Sequence, residues 1–427
     1  MSEPTSRRIE PFQAPTGTRD VLPPESERWQ ALIGRFSASM EGAGYGLVQS
    51  PMFEEIGVFA RVGEGTDLVR KEMYDFRDKG DRHLALRPEG TASIARAWIQ
   101  HAQGGARPWK VWYAAPSFRY ERPQAGRFRQ HHQLGVEAIG SDDPDLDVEV
   151  IALLHDFYAG LGLERVRLLI NSMGTAEDRH RYIDEVRSWL GERIDLLDPK
   201  DAEKVADHPM RVLDSKRPIT IAAIADVPRI TERLSPEAAE RFEHVKTGLS
   251  ALEIAFEIEP RLVRGLDYYT HTTFEFVSDA LDAAQSTIGG GGRYDGLIES
   301  LGGPATPGIG FGSGIERVLL TCEAEGVFTH SGAALDVFVI DTTGGSIARD
   351  ITTELRRAGF SADRAFDRRS MKSQMKSADR SGAGLVLIVG EDELASGSVT
   401  LRDLRGEGGQ ETVPRSEVTT VIASRLS

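Results

Sequence analysis

The chain has 427 residues, too many for one compact core of ordinary size, so two or three domains are expected. Its 51 Lys and Arg against 66 Asp and Glu leave a net charge of −15, which excludes indiscriminate polyanion binding and confines any nucleic-acid site to a local patch. Cys322 is the only cysteine, Met1–Glu10 has no apolar signal core and no segment is apolar enough to span a bilayer, so a reducing, cytoplasmic setting without membrane association is expected.

After Pro23-Pro24, residues Glu25 to Ala43 carry Trp29, Leu32, Ile33, Phe36 and Met40 at helical spacing, closed by Gly42 and Gly44. Tyr45 to Pro51 follows as a strand. Arg87-Pro88-Glu89-Gly90-Thr91 forms a turn before a helix at Ala92–His101; it either aims Glu89 and Thr91 at an ammonium-bearing ligand or caps that helix. Val111 to Ala114 is a strand.

From Phe118 to Glu137 the pattern predicts a charged β-hairpin within an apolar surround, since Val111–Ala114 and Val136, Ala138 and Ile139 suit a central strand. Strand alternation puts Arg119 and Glu121 on one face of the first strand, and Gln133, Gly135 and Glu137 on one face of the second. Buried polar groups must be paired or used, and fixed Arg and Glu side chains suit a nucleotide. A helix at Val148–Gly160 follows the acidic turn Ser141–Asp147, and Val166–Ile170 is a strand. Residues 175–257 read as a charged helical insertion whose role the sequence does not disclose.

Along Tyr268–Val277, residues Tyr269, His271, Thr273 and Glu275 share one predicted face, and Arg264 reaches their site only if Gly265-Leu266 turns or bulges. Gly289 to Gly292, before Arg293-Tyr294-Asp295, lack a Walker ending; they either let something flat approach the backbone or form a flexible turn. In Gly308–Arg317 the glycines share one strand face, a bare surface for a purine, with tight sheet–helix packing as the alternative. Arg317 then sits in the first helical turn, where a cation opposes the dipole and a polyphosphate would offset it.

Gly326–Gly332 separates a second pattern: strand Leu335–Asp341, helix Ile347–Ala358, helix Arg369–Ser381 and strand Leu385–Gly390, which predicts a small α/β domain with a mainly parallel sheet. Arg369, Lys372, Lys376 and Arg380 form a basic stripe, either an RNA contact or a solvated helix face. No Cys/His cluster offers zinc-ligand spacing, so no metal-ligand residues are assigned, and no nucleophile triad stands out. Arginines as the main electrophiles point to catalysis by positioning and charge stabilisation.

Taken together, these segments resemble the class II aminoacyl-tRNA synthetases, and among them the histidyl-tRNA synthetase family. The segments that carry the resemblance are Gly17-Thr18-Arg19-Asp20, the helix and strand ending at Pro51, Phe118–Glu137, Gly308–Arg317, and two segments similar to that family's histidine signatures, Arg264–Thr270 and Gly289–Leu297. The resemblance implies an α+β fold: a class II antiparallel-sheet catalytic domain over 1–330 with the helical insertion at about 175–257, then a small α/β anticodon-binding domain over 333–427. It implies ATP and Mg2+, with Arg119, Glu121, Arg127 and Arg317 on ATP and Arg119, Arg264 and Arg317 as catalytic cations. It further implies L-histidine at Glu89, Thr91, Gln133, Glu137, Tyr269 and Tyr294. A homodimer is expected, as is tRNA(His), its acceptor end facing Arg122 and Gln124 and its anticodon arm facing the stripe from Arg369 to Arg380. His131 has no assigned role. A regulatory paralogue serving as a subunit of ATP phosphoribosyltransferase is the rival, disfavoured because such paralogues tend to lose the last domain and the histidine signatures.

Overall fold

Helix Glu25–Gly42 buries Trp29, Leu32, Phe36 and Met40 along one face, and that apolar stripe lies against the largest sheet of the described residues. The computed structural model describes residues 11–63, 68–124, 126–262, 268–282, 286–329, 335–406 and 409–426. Contacts divide the chain into two compact units, Met1–His330 and Ser331–Ser427.

In the first unit the strands are β1 (Gly46–Leu47), β2 (Phe53–Glu55), β3 (Asp75–Arg77), β4 (His83–Leu86), β5 (Trp109–Phe118), β6 (Gln130–Ile139), β7 (Val166–Ser172), β8 (Glu257–Ile258), β9 (Thr270–Ser278), β10 (Thr287–Arg293) and β11 (Gly308–Gly314). Eight of them form one sheet in the order β1, β5, β6, β11, β10, β9, β7, β8, antiparallel except for its two short edge pairs. β2, β4 and β3 make a separate antiparallel sheet. The register aligns a row Tyr113, Gly135, Gly312, Gly290, Glu275 and, beside it, a row Val111, Glu137, Gly310, Gly292, Thr273.

Because side chains alternate, the opposite face is apolar. Trp112, Val136, Phe311, Phe274 and Phe276 meet Phe36, Phe157 and Tyr158 there, several of them edge to face. Each fully buried side chain of this size contributes about 1.5–3 kcal/mol. One face of the sheet therefore holds the fold while the other is left for polar groups.

Several local expectations change. The first strand shrinks to Gly46–Leu47, because Arg87 claims the chain beyond it, donating to Ser50 O, Ser50 Oγ and Pro51 O. The helix expected from Val148 begins at Pro144, where Asp143 accepts from Asp145 N at 2.9 Å and Asp145 and Asp147 sit in the first turn. The charged helical segment divides. Tyr182, Val186, Leu190, Val212, Leu213 and Ile224 build a separate small core, whereas helix Pro236–Ala251 sends Phe242, Val245 and Leu249 into the main one.

The second unit contains β12 (Val337–Asp341), β13 (Ala362–Arg364), β14 (Leu385–Val389), β15 (Ser398–Asp403) and β16 (Gln410–Pro414), ordered β13, β12, β14, β15, β16. β12 to β14 are parallel, but β15 and β16 add antiparallel edges, so the sheet is mixed and not mainly parallel. The basic helix spans Met371–Ser381 with Ser370 before it. Arg369 thus lies outside the helix and pairs with Asp367 at 3.0 Å, while Lys372, Lys376 and Arg380 remain as an exposed stripe.

Candidate active site

On the polar face of the large sheet lies a cavity of about 620 Å³, lined in part by Arg119, Glu121, Arg127, Gln133, Gly290, Gly312 and Arg317. β5 ends at Phe118, so Arg119 and Glu121 stand in the connecting loop and not on the strand. Arg119 N still bonds Arg129 O at 2.9 Å, and its Nε donates to Pro88 O at 2.9 Å. Arg127 donates to Glu121 at 3.2 Å, and residues 124 and 127 close a small β-bridge. Arg317, in the first turn of helix Ile315–Glu325, donates to Thr287 O at 2.7 Å. Burial, with Arg127 and Arg119 close by, weakens its hold on its proton. Three cations crowded together, two of them bonded to neutral carbonyls and one to a carboxylate, make a site that an anion relieves.

The expected bare glycine face is bare at one end only. A Cβ at Gly308 would meet the Tyr294 ring, one at Gly310 would lie 2.0 Å from Glu137 Oε2, and one at Gly312 would have 3.3 Å to Gln133 Nε2. Gly290 and Gly312, which are paired across the ladder, form the open floor. His131, two residues before Gln133 on the same strand, lines the cavity too. Burial and the neighbouring Arg119 push its pKa down to about 3, so its ring is neutral at working pH.

Four residues along β6 from Gln133, about 13 Å at strand rise, Glu137 is fully buried. Thr91 Oγ1 donates to its Oε1 at 2.7 Å and Tyr294 Oη to its Oε2 at 2.5 Å. Burial raises its pKa to about 8, so in the free protein it is mostly protonated at neutral pH. Glu89 accepts from Thr91 N at 2.7 Å and Ala92 N at 2.8 Å, capping helix Thr91–His101; burial raises its pKa as well. Glu89 thus caps the helix, while the Thr91 hydroxyl turns to Glu137. Tyr268 and Tyr269 lie with ring centroids 4.7 Å apart and planes tilted by 45°, and Tyr268 meets Tyr294 edge to face. Two buried carboxyl groups among phenols suit a small ligand that brings N–H donors or positive charge.

Arg264 lies outside the described residues, as does the rest of 263–267. Arg122 and Gln124 are exposed. His271 is out of phase with Tyr269, because a register shift between Gly292 and Arg293 leaves His271 at φ 44° in a bulge.

Two groups were missed. Tyr113 lies over Gly135 and Gly90, where an added Cβ would come within 2.3 and 2.6 Å of its ring. Gly135, on the face of Gln133 and Glu137, was the available signal. Arg293 is fully buried and donates through Nε to Asp147 Oδ1 at 2.9 Å, with Thr272 Oγ1 on Oδ2 at 2.7 Å. That pair ties β10 to helix Pro144–Gly160, and nothing in local sequence links the two. Among the described residues no group of three or more His, Cys, Asp or Glu is arranged to hold a metal ion, and no helix is long and apolar enough to cross a membrane.

A family model described as histidyl-tRNA synthetase matches residues 17–318, and one described as an anticodon binding domain matches 336–425. A histidine–tRNA ligase of Synechococcus sp. is 46% identical over 422 residues, covering 96% of each chain. One from Saccharopolyspora erythraea is 47% identical, covering 97% of this chain and 99% of its own. The apo histidyl-tRNA synthetase of S. aureus superposes with a TM-score of 0.80 at 36% identity, covering 96% of this chain and 99% of that one.

Proposed function

Since the chain belongs to the histidyl-tRNA synthetase family, we propose that it is a histidine–tRNA ligase, activating L-histidine with ATP to histidyl-adenylate and passing the histidyl group to the 3′ end of tRNA(His). One observation carries this assignment to the pocket. An arginine-lined cavity over paired glycines leads along one strand to a buried carboxyl held by Thr91 and Tyr294.

In this reading ATP, a substrate, lies on the Gly290 and Gly312 floor. Arg119 takes the α-phosphate, Arg127 and Glu121 position the nucleotide, and Arg317 takes the γ-phosphate end. L-histidine sits at the Glu137 end, its ammonium group toward Glu89, Thr91 and Gln133, its imidazole between Glu137 and Tyr269, with Tyr294 closing the pocket. A site built from paired polar groups selects an imidazole better than shape alone, because an analogue lacking them leaves buried groups unpaired. The carboxylate oxygen of histidine attacks the α-phosphorus in line while the bond to pyrophosphate breaks. That oxygen is already ionised, so no general base is needed, and Arg119, with Arg264 beside the carboxylate, stabilises the charge that gathers on the phosphoryl oxygens. A terminal hydroxyl of the tRNA then attacks the carbonyl carbon, the acyl–phosphate bond breaks, and AMP leaves, its phosphate taking up the hydroxyl proton. Mg2+ bound with ATP would offset phosphate charge, and Glu121 and Glu275, two carboxylates lining the cavity, would be the residues to hold it.

Arg122 and Gln124 face the acceptor end, and the exposed Lys372, Lys376 and Arg380, with Arg369 nearby, face the anticodon arm. Leu47, Met52, Phe53 and Phe76 leave an exposed apolar surface that supports a homodimer. The lone buried Cys322 supports a cytoplasmic setting. The regulatory alternative is not favoured: full-length relatives at 46–47% identity are histidine–tRNA ligases and the anticodon-binding match is retained. Charging tests the assignment. Purified protein with ATP, labelled histidine and tRNA should yield acid-precipitable histidine; none, with histidine activation intact, contradicts the transfer step.

A further inference from the structure

Part of the cavity wall comes from the helical insertion, where Leu213, Asp214, Ser215, Lys216 and Ile221 line the same space as Arg119 and Arg317. One buried carboxylate gathers the polar side chains of this segment. Asp201 is fully buried and accepts from Ser215 Oγ, from Arg217 Nη1 at 2.6 Å, from Thr220 Oγ1 at 2.9 Å and from Lys204 Nζ at 3.1 Å. Those donors keep it ionised, with a pKa down at about 2. Residues 215 and 217 are both drawn to Asp201, so residue 216, between them, is turned away. Lys216 is 82% exposed and, among the described residues, donates to its neighbour Asp214 at 2.9 Å. Such an exposed pair is weak and exchanges readily for a stronger anion.

Resting on the reading of the cavity as an ATP site, we infer that Lys216 is a further polyphosphate-binding residue, carried to the β- and γ-phosphates of ATP by the insertion and positioned by Asp201. Arg119, in the loop after β5, and Arg317, on helix Ile315–Glu325, each have a guanidinium bonded to a backbone carbonyl. An ammonium on a flexible stem adds a mobile point charge, suited to phosphates that leave as pyrophosphate. Lys216 thereby couples the insertion, whose role the sequence did not disclose, to nucleotide binding.

Calorimetric titration of ATP and of AMP, without histidine, tests this on the full chain. Lys216→Ala should weaken ATP binding about five- to tenfold, as loss of one charge-assisted phosphate contact does, leave AMP binding unchanged, and be rescued to within about twofold by Lys216→Arg. Asp201→Asn should weaken ATP binding in the parent but add little to Lys216→Ala; should Asp201→Asn fail to fold, the lysine variants decide alone. Equal ATP affinity for parent and Lys216→Ala, or an equal loss for AMP, overturns the inference. A change confined to the KM for tRNA overturns it too, and assigns Lys216 to tRNA phosphates. ATP binding does not depend on which amino acid is activated, so a failure here is separate from a failure of histidine specificity.

Discussion

Glu137 has its carboxyl desolvated and bonded by two hydroxyls, and its pKa rises from 4.5 to about 8. The folded protein therefore keeps a proton that the unfolded chain releases near 4.5. Stability from this group is fully present below pH 4.5 and is lost as pH climbs toward 8. Glu137→Gln keeps the shape and removes the titration. Thermal unfolding of both proteins from pH 5 to 8 should show the variant gaining on the parent as pH rises; a gap independent of pH contradicts a protonated Glu137. Strand alternation alone placed Gln133 and Glu137 on one face. It could not place Thr91 and Tyr294 against Glu137, because those contacts span 46 and 157 residues of chain.

Among the strands, β10 and β11 depend on glycine for contact rather than for flexibility. A Cβ on Gly291 would lie 1.9 Å from Gly310 O, closer than any side chain tolerates, and the two strands would have to part. Gly291→Ala should cost about 2 kcal/mol or more, in the range of overpacked cores, read as a lowered urea midpoint; an unchanged midpoint would mean the strands are looser than described. The glycine runs were legible in sequence as sites of close approach. Their partners were not, since Gly308 and Gly310 lie under Tyr294 and Glu137 rather than under empty space. Similarly, alternation was read straight through Tyr269 to Glu275, but β9 advances from Thr273 to Thr270 while β10 advances only from Gly292 to Arg293, and the bulge, with His271 at φ 44°, breaks the regular alternation there.

For the whole molecule, the family resemblance gave the α+β class of the first unit, and the periodicity gave the strand–helix alternation of the last hundred residues. It missed the hairpin of β15 and β16, whose alternating Val399 and Leu401 are flanked by polar residues that read as loop. The two units carry separable tasks in the proposed function. Lys376→Glu, on the exposed stripe of helix Met371–Ser381, should weaken tRNA charging severalfold, as loss of one phosphate contact does, while pyrophosphate exchange stays unchanged; if both rates are unaffected, the stripe is a solvated face. The central claim is that the pocket between the arginines and Glu137 activates histidine. Amino-acid-dependent ATP–pyrophosphate exchange across all twenty amino acids measures it most directly. Exchange with histidine far above every other amino acid is predicted; no exchange with histidine, or equal exchange with another amino acid, contradicts it.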